Sequence, residues 1–487
     1  MISQARNVID FLTKQGVEYA DIRIHELDEA EHISTMKGDV EKYELISQQG
    51  YGIRVLVNGA WGFASSEVMT AQAMEQAGKQ AIEKAQAASQ FIQQKIELSD
   101  KPCVNSHYRS PCEIDPFSVS SQTKLKRLLQ LDSQLGDEKF DYWGVSASFY
   151  KRHIIYVDSE GSEIRRELIE LDAKLYAYAT DIDGQQQKRT FVMPQYADGT
   201  TGWENLLNDA QIDHTQRLRS ELLSLLDAPR CQVETCDVIL LPEMMALQTH
   251  ETIGHALELD RILGYELSYA GGSHVDLDDF GQLQFGSHKL TARADGTVPN
   301  SPGSIGFDDD GVPARNVTLI EKGLLKDAIT SRQMIMEANA KAGRAIFSAS
   351  GATSRAQSYS NLPIERMNNI NIDAGQDGDL EAIIAATKNG ILLETPCSWS
   401  IGSNRENFHF ATEIAWKIKD GKIAHVVRNA TYRGDSLTFW HSLDQVGDES
   451  TWQLQPVFMC GKGQPNQIMR LGHGIPVCRF KNVQVGE

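Results

Sequence analysis

The chain has 487 residues, 41% of them hydrophobic and 23% charged; this is globular composition at a length that supports two or three domains with cores of their own, and it excludes a disordered or fibrous protein. Asp and Glu outnumber Lys and Arg by 66 to 47, a formal net charge of -19, so the long-range field repels phosphate backbones and anionic lipid and excludes a general nucleic-acid binder. Residues 1–16 lack the basic start and apolar block of a signal peptide, no apolar run approaches the roughly 20 residues that cross a bilayer, and the seven cysteines are odd in number and scattered, which together point to a reducing cytoplasm.

Ser3 is positioned to cap a first helix with Val8, Ile9, Phe11 and Leu12 on one side, and Gly16 to end it. Alternation through Ile22, Ile24, Ile53, Val55 and Val57 predicts strands, and Asn58-Gly59 supplies the left-handed pair of a tight hairpin turn before Trp61 and Phe63. Thr70 opens an alanine-rich helix in which Ala73, Ala77, Ala81 and Ala85 recur every four residues, a flat face suited to packing on a sheet. In residues 91–116 the pattern fades and prolines enter, which reads as a connecting segment. A helix over 124–135 follows, then strands through Val145 to Val157 and Leu168 to Leu175 around a turn at Glu160-Gly161. An amphipathic helix with Leu218, Leu222, Leu225 and Leu226 stops at Ala228-Pro229. The domain boundary falls near 230, giving 1–230 as an α+β domain, with a subdivision point in 91–116, and 231–487 as a β-rich domain.

The second half opens with a buried strand over 238–241, passes Pro242 and enters a helix from about 243 to 260. Hairpin turns at Lys322-Gly323 and Asp420-Gly421 and helices near 331–341 and 380–388 complete the reading. The predicted class is α+β: a first half of antiparallel sheet and flanking helices, then a β-rich half that carries the helix after Pro242.

That helix contains His250-Glu251-Thr252-Ile253-Gly254-His255, an H-E-x-x-x-H sequence. In the commoner H-E-x-x-H, histidines four apart lie about 40° apart around a helix and share one metal, and the glutamate reaches metal-bound water. A spacing of five separates them by about 140°, so the spacing predicts a local widened turn of π type, with the flexible Gly254 where the distortion falls. A hydrolytic zinc needs three protein ligands and one open position, and candidates for the third are Cys460, Cys478, His425, His441, His473 and Glu258. Cys460 stands out because Cys460-Gly461-Lys462-Gly463-Gln464 sets a thiol at the end of an apolar strand on a glycine loop. Glu258 and Asp260 stand where a carboxylate either orients a ligand histidine or simply faces solvent. Asp276–Gly281 and Asp308–Gly311 read as acidic turns, Gly461-Lys462-Gly463 lacks the flanks of a phosphate loop, and Cys231 and Cys236 lack metal or redox spacing.

Taken together these stretches resemble the metallo-subunit of the TldD/PmbA family, also called modulators of DNA gyrase. The matching stretches are Met244 to Asp260 around H-E-T-I-G-H-A-L-E, Gly306 to Gly311, Leu319 to Leu325, Ser358-Tyr359 through Leu362-Pro363 to Arg366-Met367, and Cys460 to Gln464, in matching order along the chain. The resemblance implies one zinc per chain held by His250, His255 and Cys460, with Glu251 as general base toward metal-activated water, and hydrolysis of unfolded or flexible peptides such as leader segments of modified precursors and antitoxin-like proteins. It also implies a homodimer, or a heterodimer with a sister subunit that lacks the metal motif. Departures from the family pattern lie at Ala352 to Arg355 and Thr395 to Ser400, where peptide preference would change if those loops line the substrate channel. Extended peptides are expected on an open strand edge, unless loops cover it. The alternatives are a non-catalytic subunit that binds peptides or a partner, and a dipeptidyl peptidase III-like exopeptidase, whose acidic E-E-x-x-x-E helix is not found in this sequence.

Overall fold

The computed structural model describes residues 1–193, 201–208 and 210–486. Its first helix, α1 (Ile2–Lys14), buries Ala5, Val8, Ile9 and Leu12 and begins ahead of Ser3, with no side-chain cap. Gly16, at φ +82°, turns the chain out as its sequence position predicts. One sheet then collects β1 (Tyr19–Met36), β2 (Asp39–Val57), β3 (Ala60–Ser66), β4 (Asn105–Arg109), β5 (Tyr142–Asp158), β6 (Glu163–Thr180) and β7 (Gln186–Met193). The order is β3-β2-β1-β5-β6, with β4 and β7 sharing the outer edge of β6, and β4 is the single parallel member. Asn58 and Gly59 take φ +54° and +77°, the pair of left-handed residues a two-residue hairpin turn requires.

Helix α2 (Ala71–Ala88) starts where the Thr70 hydroxyl accepts the Ala73 N–H, and it buries Met74, Ala77, Ala81 and Ala85. A Cβ on Gly62 of β3 would stand 1.9 Å from the Ala81 carbonyl oxygen, so the small-residue face lets helix and strand meet backbone to backbone. Helices α1 and α2 cover one end of the sheet through Ile22, Ile24, Ile53 and Val55. At the other end α3 (Ser121–Leu135) and α4 (Ala210–Leu226) pack Leu128, Leu131, Leu218 and Leu222 with Val145, Phe149, Leu171 and Leu175. Strand β4 lies inside the segment expected to be a connection. Its residues, Asn-Ser-His-Tyr-Arg, alternate between exposed and half-buried, so an edge strand here carries no apolar alternation to read.

The second half begins with β8 (Glu234–Leu240), α5 (Pro242–Thr249) and a single turn, α6 (Leu259–Ile262). A four-stranded sheet follows in the order β11-β10-β9-β14, from β9 (Ala292–Asp295), β10 (Asn316–Glu321), β11 (Leu324–Leu325) and β14 (Ile370–Ile372), with β12 (Ser354–Arg355) and β13 (Ile364–Glu365) paired beside it and α7 (Arg332–Ala342) capped by Ser331. The remaining strands are β15 (Asn389–Ile401), β16 (Asn407–Lys419), β17 (Lys422–Val427), β18 (Thr431–Asp435), β19 (Leu443–Val446), β20 (Gln453–Lys462), β21 (Gln467–Ile475) and β22 (Cys478–Val485), with α8 (Leu380–Ala385) and α9 (Ser436–His441) between them. Strands β15, β8, β22, β18 and β16 pair in that order, and β16 pairs back with β15, closing a barrel; β20 and β21 form a separate hairpin. Lys322-Gly323 and Asp420-Gly421 both take left-handed turn angles, as predicted. The architecture is α+β with a β-rich second half, in agreement with the sequence.

The acidic turn Asp308–Gly311 is a turn, and it is buried. Arg54 donates to Asp310 at 2.6 Å and to Asp21 at 2.6 and 2.9 Å, and Arg166 donates to Asp309 at 2.5 Å. The Arg54–Asp310 and Arg166–Asp309 pairs join the first sheet to the second half, and removing one partner would leave an uncompensated buried charge.

Candidate metal centre

The site is built by a break in a helix. Strand β8 ends at Leu240, Pro242 occupies the first turn of α5, where its missing N–H costs nothing, and α5 runs regularly to Thr249. Over His250–Gly254 the winding then widens: the His255 N–H donates to the His250 carbonyl five residues back, a π turn as the motif spacing predicts. The two imidazoles come together, with centroids 4.7 Å apart at 86°. Gly254 has ordinary helical angles, φ -54° and ψ -68°. Its reason is space, not backbone freedom, since a Cβ there would stand 2.2 Å from the Met367 sulphur.

The helix predicted through Asp260 ends sooner. At Glu258 the chain is extended, φ -70° and ψ 118°, because Ile329 bridges it: the Ile329 N–H donates to Leu257 and the Leu259 N–H to Ile329. This break leaves Glu258 fully buried, with Oε2 2.9 Å from His255 Nδ1. Of the three readings open for Glu258, a third ligand, an orienting group or a solvent-facing carboxylate, the structure favours the one that orients a histidine.

The hairpin of β20 and β21 supplies the third face. Register between the two strands slips between Val457 and Cys460, and Cys460 then pairs with Met469. Ligand atoms of His250, His255 and Cys460 all lie within 4.8 Å of one another, with Cys460 Sγ 3.7 Å from His255 Nε2. The three residues are 3–6% exposed. Cys478 is buried in β22 opposite Leu240, His425 and His441 are exposed, and none of these joins the cluster.

The hydrogen bonds fix which nitrogens are free. His473, on β21, has Nδ1 2.8 Å from the Ile370 carbonyl, which only accepts, so that nitrogen carries the proton and Nε2 is bare. Nε2 of His473 lies 2.9 Å from His250 Nδ1 and accepts its N–H, which leaves the His250 Nε2 lone pair free. Glu258 accepts from His255 Nδ1 in the same way and frees His255 Nε2. His473, a candidate ligand in the sequence, is thus occupied as an orienting acceptor.

Electrostatics follow the same pattern. Burial holds His250 below the usual histidine range and His473 well below it, which favours the neutral form of both rings. Burial alone would raise Glu258 and Cys460. For Glu258, Lys462 and His255 outweigh burial and hold the carboxyl well below its usual value. For Cys460, His255 and Arg366 outweigh it and lower the thiol, with Arg366 Nη2 3.1 Å from Sγ. Lys462 is itself buried, with Nζ 2.7 Å from Asp260 Oδ1, 2.7 Å from the Glu365 carbonyl and 3.4 Å from Glu258. Two imidazole nitrogens and one cysteine sulphur, which gives up its proton when a metal binds, are a donor set that fits zinc.

Glu251 lies beside His250 on the π turn, its side chain 10% exposed, and Arg405 Nη1 is 3.7 Å from its Oε2. Arg366, Lys462 and Arg405 were not singled out by their spacing. Arg366 and Lys462 lie within stretches that resemble the family, Lys462 at the end of β20, but a place in the chain says nothing of the direction in which a side chain runs. Of the two departures from the family pattern, Ala352 to Arg355 packs behind the site, with Arg355 donating to the carbonyls of Met367 and Arg470. Thr395 to Ser400 forms the outer part of β15, where Trp399 is 56% exposed.

Residues 233–487 match the family model of the PmbA/TldA metallopeptidase C-terminal domain, and residues 20–85 that of PmbA/TldA metallopeptidase domain 1. A metalloprotease of Methanocaldococcus jannaschii is 29% identical over 461 residues, 94% of each chain. A zinc metalloprotease TldD homolog of Saccharolobus solfataricus is 23% identical over 479 residues, 97% of each. Among solved structures, TldE from Thermococcus kodakarensis aligns with a TM-score of 0.72 over 99% of this chain and 100% of that one at 16% identity. A Thermotoga maritima chain described as a candidate modulator of a DNA gyrase aligns with a TM-score of 0.77 over 99% of both at 15% identity. At such identities these two establish a shared fold.

Proposed function

The chain belongs to the PmbA/TldD metallopeptidase family, and from that premise we propose that it is a zinc-dependent peptidase of unfolded or flexible peptides, with His250, His255 and Cys460 holding one zinc and Glu251 acting as general base. The observation that carries this reading is the pair of imidazoles bonded through Nδ1, His250 to His473 and His255 to Glu258, with ligand atoms of both and of Cys460 within 4.8 Å of one another. A zinc held there supplies a Lewis acid and brings the pKa of water to about 7. Glu251, next to a ligand and one-tenth exposed, takes a proton from the attacking water and passes it to the leaving amine. His473 and Glu258 keep both rings in the binding tautomer, and Arg366 steadies the thiolate.

Family membership and the TldE-like fold support a homodimer, or a heterodimer with a metal-free sister subunit. All seven cysteines are free thiols, which suits a reducing compartment such as the cytoplasm, and no helix among the described residues is long and apolar enough to cross a membrane. A purely structural zinc has no use for a carboxylate at its edge, which weighs against a binding-only subunit. Glu251→Gln should keep its zinc and lose cleavage of a flexible peptide by about 10²–10⁴-fold. Undiminished cleavage by the zinc-loaded variant would overturn the assignment of the base.

A further inference from the structure

Arg405 sits at the tip of the hairpin between β15 and β16, and the tip folds onto residues 270–272. A Cβ on Gly271 would stand 1.8 Å from the Ser403 carbonyl oxygen, so the two segments are in backbone contact. The Arg405 backbone takes a left-handed turn at φ +65°, an uncommon conformation for a residue with a side chain. Two bonds hold it there: its N–H donates to Gly402 at 2.9 Å, and the Ser436 hydroxyl donates to its carbonyl at 2.6 Å. The guanidinium so carried inward ends 3.7 Å from Glu251 Oε2, with both side chains one-tenth exposed.

Its donors are poorly used where they are. Charge-assisted pairs close to about 2.7–2.9 Å, and this one is longer. Arg405 Nη2 shares the Ala270 carbonyl with Arg261, at 3.3 Å against 2.9 Å for Arg261 Nη1. Its buried Nε has no protein partner among the described residues. A cation with donors to spare, beside the proposed general base, suits an acceptor that arrives with the substrate and gains charge during reaction.

We infer that Arg405 is a catalytic residue of the proposed peptidase, holding the scissile carbonyl oxygen through its guanidinium as that oxygen becomes an oxyanion. The inference rests on the peptidase reading above. As water adds, its oxygen bonds to the carbonyl carbon, the C=O π pair moves onto the oxygen facing Arg405, and the released proton goes to Glu251. On collapse the pair returns, the C–N bond breaks, and the proton passes from Glu251 to the amine nitrogen. Arg405 keeps its protons throughout.

The test uses zinc-loaded full-length wild type, Arg405→Gln and Arg405→Lys, with a flexible fluorogenic peptide capped by acetyl and amide groups and with the same peptide as its free acid. Alongside kcat and KM, the dissociation constant of the phosphinic analogue of that peptide is measured by calorimetry, and zinc per chain by mass spectrometry. Arg405→Gln should lower kcat by about 10²–10³-fold with KM within about threefold, loosen the phosphinic peptide by a similar factor and leave zinc content unchanged, with Arg405→Lys in between. A kcat within about threefold of wild type overturns the inference. A loss confined to KM for free-acid peptides overturns it in favour of terminal-carboxylate binding, and loss of zinc from Arg405→Gln overturns it in favour of a role in shaping the site. The peptidase reading fails differently, through a zinc-loaded wild type that does not cut or a Glu251→Gln that cuts undiminished, and the inference falls with it.

Discussion

Replacing His473 by Phe should weaken zinc binding without removing a ligand. His473 is fully buried between the Ile370 carbonyl, 2.8 Å from Nδ1, and His250, whose Nδ1–H it accepts at 2.9 Å. Phe keeps the ring volume and removes the acceptor, so His250 loses the partner that holds its proton on Nδ1. The ring is then free to carry that proton on Nε2, the nitrogen the metal needs bare. Loss of an outer hydrogen-bond partner typically costs about 10–100-fold in metal affinity, which is about 1.4–2.7 kcal/mol. Competition with a chromogenic chelator at fixed pH measures this directly, and Glu258→Gln, which weakens the bond to His255, should fall in the same range. Cys460→Ala, which removes a donor, should cost far more. An affinity for His473→Phe within about threefold of wild type would refute the tautomer argument, and one as weak as Cys460→Ala would make His473 a ligand.

Lys462→Met should destabilise the fold by about 3–5 kcal/mol in urea titration, because Asp260 and Glu258 lose the cation that faces them in a fully buried pocket; a change below about 1 kcal/mol would contradict the pairing. Gly254→Ala should cost about 1–2 kcal/mol and lower the melting temperature, since the new methyl meets the buried Met367 sulphur. A neutral outcome would mean that Met367 moves aside freely. At Glu243, burial and the neighbouring Glu394 charge push the carboxyl up to about 7. Its protonated form is favoured on folding, so its stabilising contribution is full below the unfolded value and is lost as pH rises from about 4.5 through about 7. Glu243→Gln, neutral throughout, should therefore exceed wild type by on the order of 2 kcal/mol at pH 8.5, with the gain narrowing toward pH 5, as followed by thermal melts across pH; a gain that grows toward acid would contradict the sign.

Much of the frame was legible because local chemistry decides it. Asn58-Gly59, Lys322-Gly323 and Asp420-Gly421 each set adjacent left-handed residues between strands, and few backbones other than a hairpin turn accept that pair. The π turn was legible for a similar reason: two histidines five apart share a metal only if the helix takes in an extra residue. Cys460 stood out by the glycines that follow it, although Cys460 and Gly461 lie within β20, paired with β21, and not on a loop. The orienting groups did not stand out. His473 lies on a strand far along the chain from His250, and Glu258 reaches His255 only because Ile329 interrupts the helix. Nothing within residues 250–260 encodes that interruption, since it is made by a strand-like bridge from elsewhere. Gly254 carried the right position for a different reason, packing against Met367, and Arg405 is directed by a hairpin tip whose sequence specifies a turn but no direction.

The central claim is that His250, His255 and Cys460 together hold one zinc. Metal content by plasma mass spectrometry on purified wild type, His255→Ala and Cys460→Ala tests it most directly. About one zinc per chain is expected in wild type and near none in either variant, with folding retained by circular dichroism. Absence of zinc from wild type after zinc loading, or full retention in Cys460→Ala, would contradict it.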